Sequence, residues 1–124
     1  MMRAMTSTAA QLAPIGSQRF IDLVALDYHR LVAERLQANP DAVLRDAREN
    51  LQRWMPIHEG TGSALALLEW QQLLDTKTVP ELLAIILDDS DEGQRLRSST
   101  PFAGYLTDEQ SLAFWRHHAE ASIH

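Results

Sequence analysis

Helix-start signals recur along this chain and constrain its fold more than any other feature. Thr78-Val79-Pro80-Glu81 and Thr107-Asp108-Glu109-Gln110 both match the capping box, in which the first and fourth residues cap each other's backbone N–H groups. Asn39-Pro40-Asp41 supplies a cap residue, a proline suited to the first helical position, and an acid that suits the positive end of the helix dipole. No run alternates between apolar and polar residues as a half-buried strand does. We therefore predict an all-α chain.

Apolar residues at three- and four-residue spacing define the helices between these signals. The spacing predicts a helix over 17–38 with a wide apolar face, a second over 40–54, a third over 64–75, a fourth over 82–87, a short helix over 90–97 and a last one from 107. Residues 98–104 form a predicted loop, and residues 1–16, which lack any period, a flexible N-terminal tail. The predicted architecture is a compact bundle of about five to six short helices, with a disordered tail over 1–16 and a single helical domain over 17–121.

The third and fourth predicted helices are the most apolar. The fourth is nearly all apolar and is expected at the centre of the core. The third carries a thick apolar stripe made by Ala64, Leu65, Leu67, Leu68, Trp70, Leu73 and Leu74.

On the second helix, charges of alternating sign recur every four residues. Each such pair is worth only about 0.2–0.5 kcal/mol, and the pattern is typical of a solvated face. These charges are Asp41, Arg45, Glu49 and Arg53.

The composition is that of an ordinary globular protein and excludes several kinds of site. The chain has 124 residues, of which 45% are apolar, and no cysteine, which excludes disulfides, thiolate metal ligands and cysteine nucleophiles. Its longest apolar run, over 82–87, is far shorter than the roughly 18–20 residues that cross a bilayer. Polar residues and Pro14 interrupt the stretch where a signal peptide needs a continuous apolar run. We therefore expect a cytoplasmic protein without a membrane partner.

The net charge of −6 arises from one segment. Residues 55–94 carry Lys77 against eight acids, whereas the segments on either side are close to neutral. Nucleic-acid binders gain most of their affinity from clustered Lys and Arg, so this distribution argues against a nucleic-acid partner. The acids over 81–92 are suited instead to covering a basic surface of another protein.

The histidines and acids do not have the spacing of a metal site. His117, His118 and His124 form the densest group of the five histidines, but adjacent residues on a helix point about 100° apart and cannot share a tetrahedral site. The acids over 88–92 lack the ligand order of a calcium loop. We predict no metal and no cofactor.

Arg53 and His58 are the only pair with a catalytic precedent. An Arg followed, after four residues, by a His resembles the ribonuclease motif of HEPN-domain toxins, in which Arg could stabilise a phosphorane while His moves the proton. Here Trp54 replaces the polar residue that usually follows Arg, and Pro56 breaks the helix. There is also no nucleophile elbow and no phosphate-binding glycine loop. We predict no catalytic residues and no enzyme, with a ribonuclease using Arg53 and His58 as the alternative.

The most distinctive stretch runs over 95–106. Two arginines precede a turn that is rich in hydroxyl groups and could hold an anion or a partner's carboxylate, and the aromatic residues that follow are typical of an interface anchor. In the alternative interpretation, Phe102 and Tyr105 plug the end of the bundle while the arginines pair with Asp88 or Glu92. The predicted partner-binding residues are Arg95, Arg97, Ser98, Ser99, Pro101, Phe102, Gly104 and Tyr105.

Several segments between residues 18 and 118 carry a resemblance to known proteins. They are the residues 29–33, Asn39-Pro40, residues 48–54, Glu69-Trp70 and residues 96–104. In these segments the chain resembles a group of small helical bacterial proteins similar to the antitoxin-like partners of toxin genes, and Pro101-Phe102-Ala103-Gly104 is the most specific element. The resemblance implies toxin neutralisation through a protein–protein contact and supplies no catalytic residue.

We therefore expect a non-enzymatic protein–protein interaction module that binds and masks a partner protein, such as a toxin. A DNA-binding regulator is a further alternative; it would require a basic face that includes Arg95, Arg97 and Arg116. The first predicted helix also has an apolar face wider than one intramolecular contact requires, which makes a homodimer a candidate assembly.

Overall fold

Side-chain caps begin five of the six helices in the computed structural model, which describes residues 17–123. Ser17, Asn39, Thr78 and Ser90 each accept a hydrogen bond from a backbone N–H three residues later, and Thr107 does the same from Gln110. Both predicted capping boxes form, because Glu81 and Gln110 also accept from the cap backbone. The helices are α1 (Gln18–Ala38), α2 (Pro40–Trp54), α3 (Gly62–Thr76), α4 (Val79–Ile86), α5 (Asp91–Arg97) and α6 (Asp108–Ile123).

Helix α1 lies at the centre of the bundle, since α2, α4 and α5 all pack against it. Helix α3 packs against α2, and α5 packs against α4. The all-α prediction is confirmed, with six helices and no strand over residues 17–123. The predicted tail over 1–16 lies outside the described residues. The shared core includes Val32, Leu36, Leu51, Trp70, Leu82, Ile86 and Phe102.

The two most apolar helices are only partly buried. In α4, Leu82 and Ile86 are buried, as predicted, but Leu87 at its end is 40% exposed. In α3, Trp70 points into the core, whereas Leu65 and Leu68 lie on the outside. The thick stripe of α3 is therefore two apolar faces on opposite sides of one helix rather than one face of the core.

The charges on α2 are solvated, as predicted, but they do not pair in the expected register. Arg45 forms its ion pair with the adjacent Asp46, at 3.3 Å, and Arg53 donates to Asn50. Among residues 17–123 no ion pair joins two members of the four-residue ladder, which fits the small energy of such exposed pairs.

Helix α6 is attached to α1 at two points. The Trp115 ring meets Phe20 edge to face, with centroids 4.8 Å apart. One turn further along, His118 Nε2 lies 3.0 Å from an Asp27 carboxylate oxygen, while its Nδ1 contacts the Phe114 carbonyl. Within residues 17–123, none of the helices combines the length and the apolar character that crossing a membrane requires.

Candidate interaction site

The loop that follows α5 is a plug in the core and not an exposed anchor. Phe102 is 1% exposed, and its ring meets Trp70 edge to face with centroids 5.6 Å apart. Pro101 is also buried, and its carbonyl accepts a hydrogen bond from Asn50 Nδ2 at 2.9 Å. The prediction that Pro101 and Phe102 present an apolar anchor to a partner is therefore wrong, because α3 supplies the aromatic partner that the loop needs.

Arg95 lies on the surface between two carboxylates. Its Nη1 and Nη2 donate to the two oxygens of Glu69 at 2.9 and 2.8 Å, and the same guanidinium bonds Glu92. These hydrogen bonds raise the pKa of Arg95 and lower the pKa values of Glu69 and Glu92. The predicted pairing with Glu92 is confirmed, and the donors of Arg95 are mostly occupied within the chain.

Arg97 is directed inward. It is 3% exposed, and its Nη1 donates to the carbonyls of Ile86 at 3.2 Å and Asp88 at 2.5 Å, at the C-terminal end of α4. A cation suits this end of a helix because the carbonyl dipoles point toward it. Burial nevertheless lowers the pKa of Arg97, and its Nε and Nη2 atoms are buried without a hydrogen-bond partner. The prediction that Arg97 lies exposed at a partner-binding surface is therefore wrong, because its guanidinium is buried against the end of α4.

The remaining predicted binding residues divide between local turn contacts and the surface. Ser98 is exposed and its hydroxyl donates to the Arg95 carbonyl at 2.6 Å, while the Ser99 hydroxyl contacts the Leu96 carbonyl. Gly104 is exposed with a φ of 93°, a conformation that favours glycine. Tyr105 is half-buried beneath the guanidinium of Arg35, and burial raises its pKa.

A buried histidine holds this loop to α1, and the sequence analysis did not identify its role. His29 Nδ1 lies 2.7 Å from the Ala25 carbonyl, which can only accept, so Nδ1 carries the proton. Nε2 then accepts from the Thr100 hydroxyl at 2.9 Å, and Thr100 Oγ1 in turn accepts from the Phe102 N–H at 3.1 Å. Burial is the main cause that lowers the pKa of His29 to about 4, and the positive charge of Arg97 adds to it. The helical seam of α1 carries a signal for this role, since His29 falls in register with Leu26, Ala33 and Leu36.

The residues of the two alternative functions are not brought together. Arg53 donates to Asn50 in the last turn of α2, whereas His58 lies in the following turn, where its backbone N–H bonds Trp54 and Met55 carbonyls. Among the described hydrogen bonds and ion pairs, none joins these two side chains. The basic face proposed for DNA binding loses Arg97 to the core.

The acidic segment, which we define as the acids Glu81, Asp88, Asp89, Asp91 and Glu92, is exposed throughout. Hydrogen bonds from Thr78 lower the pKa of Glu81, and those from Ser90 lower the pKa of Asp88, so both are ionised at neutral pH. Over the described part of the chain, Glu81, Asp88 and Asp91 form no ion pair. No group of three or more potential ligands among the described residues could hold a metal ion.

Two further features of the surface lie on α2 and α3. A shallow depression of about 550 Å³ lies along α2, but one helix alone lines it, with residues Asp41, Leu44, Arg45, Arg48, Glu49 and Gln52. The outward face of α3 carries Leu65 and Leu68, which are 71% and 51% exposed. Comparison with protein-family models, with curated proteins and with solved structures found no match.

Proposed function

We propose that this chain is a non-enzymatic protein–protein interaction module of the bacterial cytoplasm that masks the basic surface of a partner, in the manner of an antitoxin. The exposed acidic segment carries the proposal. It holds five carboxylates on α4, α5 and their junction, and three of them form no ion pair within the described chain. Toxins that act on nucleic acids need basic surfaces, which such a segment complements.

The acidic segment replaces the loop around Phe102 as the proposed contact. Its charge would guide a basic partner into place and raise the association rate, because opposite charges steer the encounter of two proteins. Two of the side chains are already held in position, since Glu81 accepts from the Thr78 N–H at 2.9 Å and Asp88 accepts from the Ser90 N–H and hydroxyl at 2.9 and 2.7 Å. Little side-chain freedom is then lost when the partner binds.

The test removes charge while keeping shape. Glu81→Gln, Asp88→Asn and Asp91→Asn together reduce the negative charge by three. The amide in Glu81→Gln can keep the one oxygen that accepts from Thr78, and the amide in Asp88→Asn can keep the oxygen that accepts from the Ser90 N–H while losing the acceptor for the Ser90 hydroxyl. The matched control, Glu34→Gln with Glu49→Gln and Glu59→Gln, removes three exposed acids that form no ion pair elsewhere on the described surface.

The measurement is association with the product of the adjacent gene, followed by surface plasmon resonance at several salt concentrations. We expect the acidic-segment variant to associate about tenfold more slowly at low salt, and the control variant to change by less than about twofold. A complex with unchanged rate and salt dependence, or no complex with that product at low salt, would contradict the proposal.

A further inference from the structure

Helix α6 lies on the bundle with fewer contacts than the other helices have. Within residues 17–123, the extensive helix–helix contacts are all made among α1, α2, α3, α4 and α5. None of the α6 side chains over 108–120 is buried. Its two attachments to α1 are the ring contact of Trp115 with Phe20 and the contact of His118 with Asp27. A helix held in this way can open locally while the rest of the fold stays intact.

Both ring nitrogens of His118 face oxygen atoms that only accept hydrogen bonds. Nδ1 lies 2.9 Å from the Phe114 carbonyl oxygen, and Nε2 lies 3.0 Å from a carboxylate oxygen of Asp27. A neutral imidazole has one N–H group, whereas the imidazolium has two. Only the protonated ring therefore donates at both places, and a neutral ring must give up one of the two contacts.

The charges around His118 favour the protonated ring when α6 is in place. Asp27 on α1 is the closest charged group, and its other carboxylate oxygen lies 3.4 Å from Arg30 Nη1. On α6 itself, the His117 ring meets the His118 ring edge to face, with centroids 5.7 Å apart. Arg30 and His117 are both exposed, so water screens their charges more than it screens the direct contact with the carboxylate.

We propose that α6 is a lid over Phe20 that closes when His118 is protonated and opens when His118 is neutral. Opening removes Trp115 from Phe20, which is 1% exposed while the lid is closed. The preceding residue, Arg19, pairs with Asp89 at 3.5 Å, so the uncovered ring lies beside the acidic segment. Histidine in water loses its proton near pH 6.5, which places the transition close to neutral pH. Closure needs no partner and can be measured on the chain alone.

The two histidines that contact α1 carbonyls or carboxylates respond to pH in opposite directions. His29 is buried in its neutral form, so acidification weakens the core around it. Closure of α6 instead favours the form of His118 that carries the extra proton, so acidification strengthens the attachment of α6. A lid that tightens while the core loses stability cannot be explained by a change in global stability.

Hydrogen exchange of the full chain, followed by mass spectrometry of peptides from α6 and α2, tests the lid. Exchange is measured at pH 5.5 and pH 8 and corrected for the intrinsic effect of pH on the exchange rate. We expect α6 amides to be protected at least about threefold more at pH 5.5 than at pH 8, because the protonated ring keeps both contacts. The α2 amides should show no such gain, and their protection also reports that the core is folded.

Three variants assign the effect to the contact between His118 and Asp27. His118→Gln should abolish the pH dependence of α6, because glutamine does not titrate and can donate to the carboxylate in either buffer. Asp27→Asn should also abolish it, since the new amide can donate to a neutral Nε2. The matched control, His117→Gln, removes the adjacent exposed histidine and should keep the pH dependence.

The outcomes separate the lid from other causes of pH dependence. Equal protection of wild-type α6 at the two pH values, or a gain that persists in His118→Gln, would overturn the proposal. Loss of the gain in His117→Gln would also overturn it, because the proton would then act through the wrong ring.

Discussion

The loop over 98–105 and the outward face of α3 contain similar apolar residues but lie in opposite environments. The loop was predicted to be an exposed contact, and its Phe102 is almost completely buried. The outward leucines of α3 were predicted to belong to one thick apolar stripe, and most of their surface is exposed. One helix accounts for both results, because α3 turns Trp70 toward the loop and thereby turns Leu65 and Leu68 away from the bundle.

The difference shows that the number of available neighbours decides which apolar surface is buried. Helix α3 packs against α2, and the loop from α5 packs against its inner side. The Trp70 indole N–H donates to the Leu96 carbonyl at 2.8 Å, which fixes the side of α3 that faces inward. Within residues 17–123 the other side of α3, which carries Leu65 and Leu68, stays exposed.

The largest expected effect concerns Phe102. Phe102→Ala should lower the free energy of unfolding by about 4 kcal/mol, because it leaves a cavity beside Trp70 in the core. Leu65→Ala, on the exposed face of α3, should change it by less than about 0.5 kcal/mol. Urea denaturation followed by circular dichroism measures both. Equal effects of the two substitutions would show that the loop does not plug the core.

Arg97 and Arg95 allow the same comparison between a buried and an exposed position, with arginine at both. Arg97→Ala should lower the free energy of unfolding by about 3 kcal/mol. It opens a buried space and leaves two carbonyls at the end of α4 without their donor. Arg95→Ala breaks only solvent-exposed pairs with Glu69 and Glu92, so it should lower the free energy of unfolding much less than Arg97→Ala does. Thermal unfolding of the two variants in one buffer measures the difference. A larger loss of stability in Arg95→Ala than in Arg97→Ala would contradict the assignment of Arg97 to the core.

Much of the fold could be predicted from the sequence because local chemistry determines it. Caps such as Ser17, Asn39 and Thr78 stop and start helices through hydrogen bonds that span three residues, and these contacts are visible in the sequence. The start of α3 was predicted less accurately, because Thr61 precedes this helix without forming a side-chain cap hydrogen bond. The side of α3 that faces inward depends on α2 and on the loop after α5, which are distant in sequence.

The site was harder to predict because its residues act through contacts across the bundle. His29 forms a hydrogen bond with Thr100, which lies 71 residues away in the sequence, and Asn50 donates to Pro101, which lies 51 residues away. A polar residue within an apolar helical seam, as His29 and Asn50 both are, signals a buried hydrogen bond but does not name the partner. The acidic segment, in contrast, could be identified directly, since exposed charges need no partner to be recognised.

The buried histidine makes the stability of the loop depend on pH. The pKa of His29 is lowered from 6.5 to about 4 by burial, so the unfolded chain takes up a proton at a higher pH than the folded chain. Stability is therefore lost as the pH falls from about 6.5 toward 4, and the loss between pH 7.5 and pH 5 should be about 2 kcal/mol. Urea denaturation at the two pH values measures this difference.

A matched pair of variants isolates the contribution of this histidine. His29→Gln should remove most of the difference between pH 7.5 and pH 5, whereas His58→Gln, in the turn before α3, should keep it. The fold also lowers the pKa values of Glu69, Glu81, Asp88 and Glu92, so these carboxyls begin to lose their stabilising effect near pH 5, and the His29→Gln variant measures that smaller share of the difference. A difference that persists in His29→Gln would show that another group is responsible.

The smallest expected effect compares two glycines that both have open space where a Cβ atom would lie. Gly104 closes the loop with a φ of 93°. Gly104→Ala should therefore lower the free energy of unfolding by about 1 kcal/mol, through backbone strain alone. Gly62 begins α3 without a positive φ, and Gly62→Ala should be neutral or stabilise the protein by up to about 1 kcal/mol. Neither added methyl group meets a neighbour, so a difference in unfolding temperature between the two variants reports backbone conformation. Equal unfolding temperatures would mean that the loop relaxes freely at Gly104. Such relaxation would be inconsistent with a loop that Phe102 and His29 hold in one conformation.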